Sequence, residues 1–333
     1  MLTPTWVTVL LSKNVALVAI SNGLGHLRRQ IFLYKYIKSQ GYDVTIFCNL
    51  ADLERLDSHN LKAEQLEIRV ADLPRLVKSG FFETLSKRLS SFDVVVSDNC
   101  VDLLRSRQDI ILFASFFWHR AISMPSWYGL ESEKLIDLYK PKIIANRLFV
   151  ADYLKDYTNL HLVGFFGNQP IKTDLPAKDI LLSFGFSNEI NKYFLEIANY
   201  VAEFCLSEGR KLWLEPRYFK KINAQSYLVV KASYTDKMYK SIGLGIIRPG
   251  MGTLTNLIAA RSKIICVYEE NNNEMILNSN RINDLGFGVN ASNLKVLGKL
   301  LKNLDTVPMV KIEKASGEFD GEVKSFKVIK TSG

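Results

Sequence analysis

Cysteine is scarce in this chain. Four residues in 333, Cys48, Cys100, Cys205 and Cys266, stand far apart and form no CxxC pair. That excludes a disulfide framework and a zinc site of the usual spacing, and predicts buried free thiols in a reducing compartment. No two aspartates stand at DxD spacing, so no magnesium site is expected at a strand end. Long apolar runs are missing as well. The runs at 7–11 and 15–20 are broken by Ser12, Lys13 and Asn14, with neither a basic n-region nor a small-residue cleavage site. Neither a signal peptide nor a membrane-spanning helix is expected. The formal charge is +9, yet no Lys/Arg run resembles a nucleic-acid arm and no DNA- or RNA-binding motif occurs. The excess therefore points to a phosphorylated small molecule or an acidic membrane surface before nucleic acid.

What is present reads as two α/β halves. At 333 residues the chain is long for one core, and two domains are the expectation. Residues 15–20 form a fully apolar run of the kind buried in a parallel sheet. The Ser21–His26 turn follows, then a helix with Leu27, Ile31 and Tyr34 on one face and Gly41 at its end. Further strands are expected at 43–48, 92–96 and 110–114, with helical segments at 81–89 and 133–139. Residues 164–178 hold two glycines and two prolines without helical period and serve as the linker. The pattern then restarts: strands at 180–184, 211–214, 227–230, 244–247 and 263–268, and helices at 190–206, from 235 to 240, after Thr253, and from 274 to 285. The expected division is an N-terminal Rossmann-like domain at 1–163, the linker at 164–178, a C-terminal Rossmann-like domain at 179–305 and an unassigned tail at 306–333. Such doubly wound sheets bind ligands beyond the carboxyl ends of their strands, so a cleft between the two is the expected site.

Two glycine turns carry the chemistry. Arg248-Pro249-Gly250-Met251-Gly252-Thr253 lies between an apolar strand and a helix, where free backbone N–H groups and the helix dipole favour an anion. In the first half, Gly23 and Gly25 let a ligand approach the backbone, His26 follows on the first helical turn as a candidate general base, and Arg29 stands one turn on. The dinucleotide fingerprint does not fit, because Arg28 occupies its last glycine position. Asp98 and Asn99 end a buried strand and face the same cleft, with Asp98 a catalytic candidate. The aromatic stretch 113–128, read as a loop, offers Trp118, His119 and Trp127 as acceptor contacts, since aromatic faces suit the apolar faces of sugars. His59 and His161 belong to no motif.

Gly23-Leu24-Gly25-His26-Leu27-Arg28-Arg29 resembles the first-domain turn of GT-B glycosyltransferases, in particular the MurG-like branch with a GxGHxxR turn. Residues 183–187, 234–238, 246–253 and 274–288 resemble, in order, the turns of that family's nucleotide domain. The resemblance implies two Rossmann-like doubly wound parallel-sheet domains facing a cleft. It also implies a nucleotide-diphosphate sugar as donor, UDP first among the nucleotides, and no cofactor or metal. Gly185, Ser187, Arg248, Gly250, Met251, Gly252, Thr253, Asn256, Glu274 and Asn278 fall on the donor side. Asn256 stands where the branch carries a ribose-binding glutamate, and Glu274-Met275 replace a glutamine-rich pair. The implied reaction is hexosyl or N-acetylhexosaminyl transfer to a carbohydrate or lipid-linked hydroxyl in polysaccharide biosynthesis. It would take place in the cytoplasm, with the apolar N-terminus at 6–11 available for the membrane's inner face. Two alternatives stay open: a nucleotide-sugar hydrolase or epimerase of the same fold, akin to the pseudaminic-acid pathway hydrolases, and a non-catalytic nucleotide-sugar-binding subunit.

Overall fold

The structure is a computed structural model and describes residues 13–332 except 57, 59, 168–176, 186–189, 225, 270–271 and 312–315. Ser187, His59, the apolar segment at 6–11 and most of the expected linker lie outside the described residues.

The first sheet has seven strands, β1 (Asn14–Val18), β2 (Asp43–Cys48), β3 (Ala63–Gln65), β4 (Val94–Asp98), β5 (Ile111–Phe113), β6 (Ile143–Asn146) and β7 (Leu160–Val163). They lie in the order β3-β2-β1-β4-β5-β6-β7 and every pairing is parallel. The second sheet has β8 (Asp179–Ser183), β9 (Leu212–Leu214), β10 (Val229–Lys231), β11 (Ile242–Ile247), β12 (Lys263–Cys266) and β13 (Val289–Asn290), in the order β10-β9-β8-β11-β12-β13 and again all parallel. Both sheets therefore reverse direction beside their first strand, which opens a crevice at that strand's carboxyl end. The doubly wound pair expected from the strand–helix alternation is present.

The helices that matter below are α1 (Leu24–Ser39), α2 (Trp118–Ala121), α3 (Ser126–Tyr139), α4 (Lys192–Ser207), α5 (Asp236–Ser241), α6 (Met251–Ala259), α7 (Asn273–Asp284), α8 (Leu294–Lys302) and α9 (Gly321–Lys330). Strand residues alternate between two apolar layers, as the pleat requires. Ala16 and Val18 join one cluster while Val15 and Leu17 join the other. In the second sheet Ile180 and Leu182 face one layer and Leu181 the opposite one. Burial on both faces explains why these strands read as continuous apolar runs. All four cysteines are buried free thiols, and burial pushes Cys48 up to about 11 and Cys205 and Cys266 up to about 12.

Two local expectations are corrected, and the tail left unassigned finds its place. The aromatic stretch is not a single loop: α2 and the start of α3 interrupt it, and Phe116, Phe117 and Tyr128 are core residues. Its aromatic density reflects packing over the first sheet. The helical segment at 81–89 is two single turns, Phe81–Thr84 and Ser86–Leu89. The tail after 305 returns to the first half, where α9 packs beside α1 and Phe326 makes edge contacts with Tyr36 and Tyr42. The crossing is tight at Gly164, where a Cβ would sit 1.9 Å from the Glu318 carbonyl oxygen. Asp320 locks it by accepting from Gly164 N at 2.7 Å and pairing with Arg147. Among the described residues no helix is long and apolar enough to cross a membrane.

Candidate active site

The first-half turn builds a charged constellation around one buried carboxylate. Because β4 ends at Asp98, its side chain lies beside the first turns of α1 and is fully buried. His26 Nδ1 donates to Asp98 Oδ1 at 2.9 Å, Arg29 Nη2 donates to the same oxygen at 2.5 Å, and Arg29 Nε and Gln30 Nε2 reach Oδ2 at 3.3 Å. Burial alone would push the Asp98 carboxyl up. The charges of Arg29 and His26 and their hydrogen bonds outweigh it and hold the group below its ordinary value. An ionised Asp98 accepts from Nδ1, so in the neutral ring Nε2 is the nitrogen that carries the lone pair. Arg29 is held in turn by the Phe113 ring, 4.4 Å below its guanidinium.

Trp118 closes this group from the side. Its ring centroid lies 5.8 Å from that of His26, and its buried indole N–H has no hydrogen-bond partner among the described residues. Asn99, in a left-handed turn with φ of 55°, likewise keeps a buried, unpartnered Oδ1. The other expected acceptor contacts are engaged elsewhere. His119 is buried, stacked on Phe117 and bonded through Nε2 to Glu133 at 2.8 Å. Trp127 carries Lys78 over its ring.

The second-half turn faces the first directly. Gly250 caps α6 without a side-chain bond, so the N–H groups of its first turn point outward. Gly252 crosses Gly25 so closely that a Cβ on it would lie 3.4 Å from the Gly25 Cα. Two glycine turns thus bring the N-termini of α1 and α6 together. Arg248 donates through Nε to Glu269 at 2.9 Å, beside Gly185. Glu274, half-buried on the first turn of α7, sits in the field of His26, Arg248 and Arg29; burial pushes its carboxyl up and those charges oppose the shift. Asn278 is buried and donates to the Pro249 carbonyl at 2.9 Å, which braces the turn.

Several neighbours went unread in the sequence. Glu215 is fully buried, accepts from Phe184 N at 2.9 Å and pairs with Arg217, which also bonds the Gly185 carbonyl. Gln30, Glu269 and Tyr239 belong to no glycine motif and gave no signal. Arg28 was visible, since Gly25, Arg28, Arg29 and Phe32 recur at helical spacing. That face borders a cavity of about 40 Å³ closed on the other side by Gly252, Thr255 and Asn256.

No protein-family profile matches the chain, and no curated protein matches its sequence. Solved structures do match its fold along nearly its whole length. A structure described as the glycotransferase of kitacinnamycin is 14% identical, with a TM-score of 0.68 over 97% of this chain and 99% of that one. The spinosyn rhamnosyltransferase SpnG is 12% identical, with a TM-score of 0.63 over 96% of each chain. UGT89C1 of Arabidopsis thaliana, solved with quercetin, is 11% identical, with a TM-score of 0.63 over 96% of this chain and 94% of its own. The fold is GT-B, as in these glycosyltransferases.

Proposed function

We propose that the chain transfers a sugar from a nucleoside-diphosphate sugar to a hydroxyl acceptor, with His26 as general base. The observation that supports this most is the 2.9 Å bond from His26 to a buried, ionised Asp98 at the start of α1, set against the open N-terminus of α6. Nε2 takes the acceptor's hydroxyl proton as its oxygen bonds to the anomeric carbon. The bond from that carbon to the β-phosphate oxygen breaks, and the nucleoside diphosphate leaves with the electron pair. The N–H groups of α6, Thr253 and the Arg248 guanidinium offset the charge of the leaving diphosphate, a role that in this reading needs no metal. Trp118 and Asn99 carry unpartnered buried polar atoms on the first-half side and suit the acceptor; Glu274 suits the donor sugar.

UDP is the first nucleotide to try, with a hexosyl or N-acetylhexosaminyl sugar and a carbohydrate or lipid-linked acceptor. The +9 charge favours anionic ligands and contact with an acidic membrane surface on the cytoplasmic side. The test is a thermal-shift screen of nucleoside diphosphates and their sugars, followed by mass-spectrometric detection of transfer. His26→Ala should keep nucleotide affinity and lose transfer; near-normal turnover in that variant would remove His26 as the base. One observation favours a second reading. Glu274 lies within the electrostatic field of His26, and the two would suit an acid–base role in a nucleotide-sugar hydrolase or epimerase. Rapid release of free sugar without an acceptor would select the hydrolase.

A further inference from the structure

Three arginines around the cleft have carboxylate partners: Arg29 pairs with Asp98, Arg217 with Glu215 and Arg248 with Glu269. Arg28 has none among the described residues, although it stands beside them on α1 and borders the cavity against α6. It reaches across the cleft to Tyr239 of α5, whose hydroxyl also neighbours Thr253 and Asn256. Tyr239 is 2% exposed, yet among the described residues its hydroxyl has no partner in hydrogen-bond geometry, and neither does the buried Asn256 Nδ2. Unsatisfied buried groups are costly and mark places where something else completes the network. The groups gathered here are overwhelmingly donors: a guanidinium, a carboxamide N–H₂, two hydroxyls and the first N–H groups of a nine-residue helix. Such a set calls for a ligand with several acceptor oxygens and a negative charge.

We infer that Arg28 is the first half's contribution to the nucleotide site: it clamps a phosphate of the nucleoside diphosphate against the N-terminus of α6, while Tyr239 and Asn256 complete the hydrogen bonds around it. This rests on the nucleotide-sugar reading above and adds to it a cross-cleft residue. Because α1 carries both His26 and Arg28, the phosphate that Arg28 grips also draws the base towards the donor. Binding of the nucleotide and closure of the cleft then become one event.

Calorimetric titration of UDP, TDP and GDP into the wild-type chain, Arg28→Gln, Arg28→Lys and Tyr239→Phe tests this, with uridine as the uncharged control. For the diphosphate that binds, Arg28→Gln should weaken affinity about 10–100-fold and flatten its salt dependence, with uridine binding unchanged. Arg28→Lys should recover part of the loss, because the charge returns without the planar fork. Tyr239→Phe should weaken the diphosphate about 3–10-fold while leaving the melting temperature of the unliganded protein equal or higher, since it deletes an unpartnered hydroxyl. If the wild-type chain binds none of the three diphosphates, the nucleotide reading itself fails and this inference falls with it. If the wild-type chain binds one and the Arg28→Gln and Tyr239→Phe variants bind it equally well, the nucleotide reading stands and the clamp is refuted.

Discussion

The two glycine turns have the same construction and opposite contents. Each follows the first or central strand of a parallel sheet, each opens a helix, and their backbones meet at Gly25 and Gly252. The first is electrostatically closed: His26, Arg29 and Gln30 converge on Asp98, and the carboxylate accepts from all three. The second is open: Gly250 gives α6 no side-chain cap, and the polar atoms nearest its first turns, Tyr239 Oη and Asn256 Nδ2, have no partner in hydrogen-bond geometry among the described residues. A closed constellation holds a proton acceptor in one tautomer before any ligand arrives, whereas an open one gains most when a ligand binds. In the proposed reading, that difference gives the chemistry to the first turn and substrate holding to the second.

The sharpest way to break this assignment is His26→Ala. Loss of a positioned general base should lower kcat by about 10²–10⁴-fold. Nucleotide affinity should stay at the wild-type value, because the proposed diphosphate groups lie on α6 and at Arg28 and Arg248. A variant that lost affinity and turnover together would place His26 on the binding side. Asp98→Asn should come next, with turnover down by up to about 10⁴-fold through loss of the fixed tautomer. It should also cost about 3 kcal/mol of stability by leaving Arg29 beside an uncharged, buried partner. Parallel measurement of turnover and denaturant midpoint separates the two effects; wild-type turnover in a destabilised Asp98→Asn chain would reduce Asp98 to a structural anchor.

How much of this was legible in the sequence follows the same contrast. The two sheets were readable because strands buried on both faces are continuous apolar runs, and 15–20 and 244–247 are clear examples. His26 and the Gly250–Thr253 turn stood out because glycine spacing beside a strand end is a local signal. Asp98 was located as a strand-end residue, but its bond to His26 spans 72 positions and no local pattern encodes that. The return of α9 to the first half was illegible for the same reason, since its partners, Tyr36 and Tyr42, lie nearly 300 residues earlier. Aromatic content misled at 113–128: density alone does not separate a ligand-binding loop from helices packed on a sheet.

A milder perturbation acts on the meeting point of the turns. Gly252→Ala places its Cβ at 3.4 Å from the Gly25 Cα, close to ordinary van der Waals contact, and should be nearly silent. Gly252→Val adds two methyl groups where only one carbon fits and should force α1 and α6 apart. With His26 moved from the donor by about 1 Å, transfer should drop about 10–100-fold. Small-angle scattering should then report a larger radius of gyration than for the alanine variant. Equal turnover in both variants would mean that the turns need not touch for transfer.

The smallest effect on turnover is expected four residues beyond Asp98, at an aspartate that is equally buried and differently supplied. Asp102 accepts from Tyr128 Oη at 2.6 Å, but among the described residues its Oδ1 has no hydrogen-bond partner and Arg105 stands 3.8 Å away. Burial therefore wins over the Tyr128 bond and the Arg105 charge and raises the carboxyl to about 6. The folded chain then binds this proton more tightly than the unfolded chain, whose aspartate titrates near its ordinary value of 3.8. Between these two values the unfolded state holds fewer protons, so the contribution to stability falls as pH rises from about 4 to about 6. A gap of roughly two pH units corresponds to about 3 kcal/mol. Asp102→Asn cannot ionise and escapes that loss. Its stability relative to wild type should climb across this window and level off above about pH 6, with turnover at the wild-type value. A difference that stays constant from pH 4 to pH 7 would show that Asp102, like Asp98, has enough donors to stay charged in the folded protein.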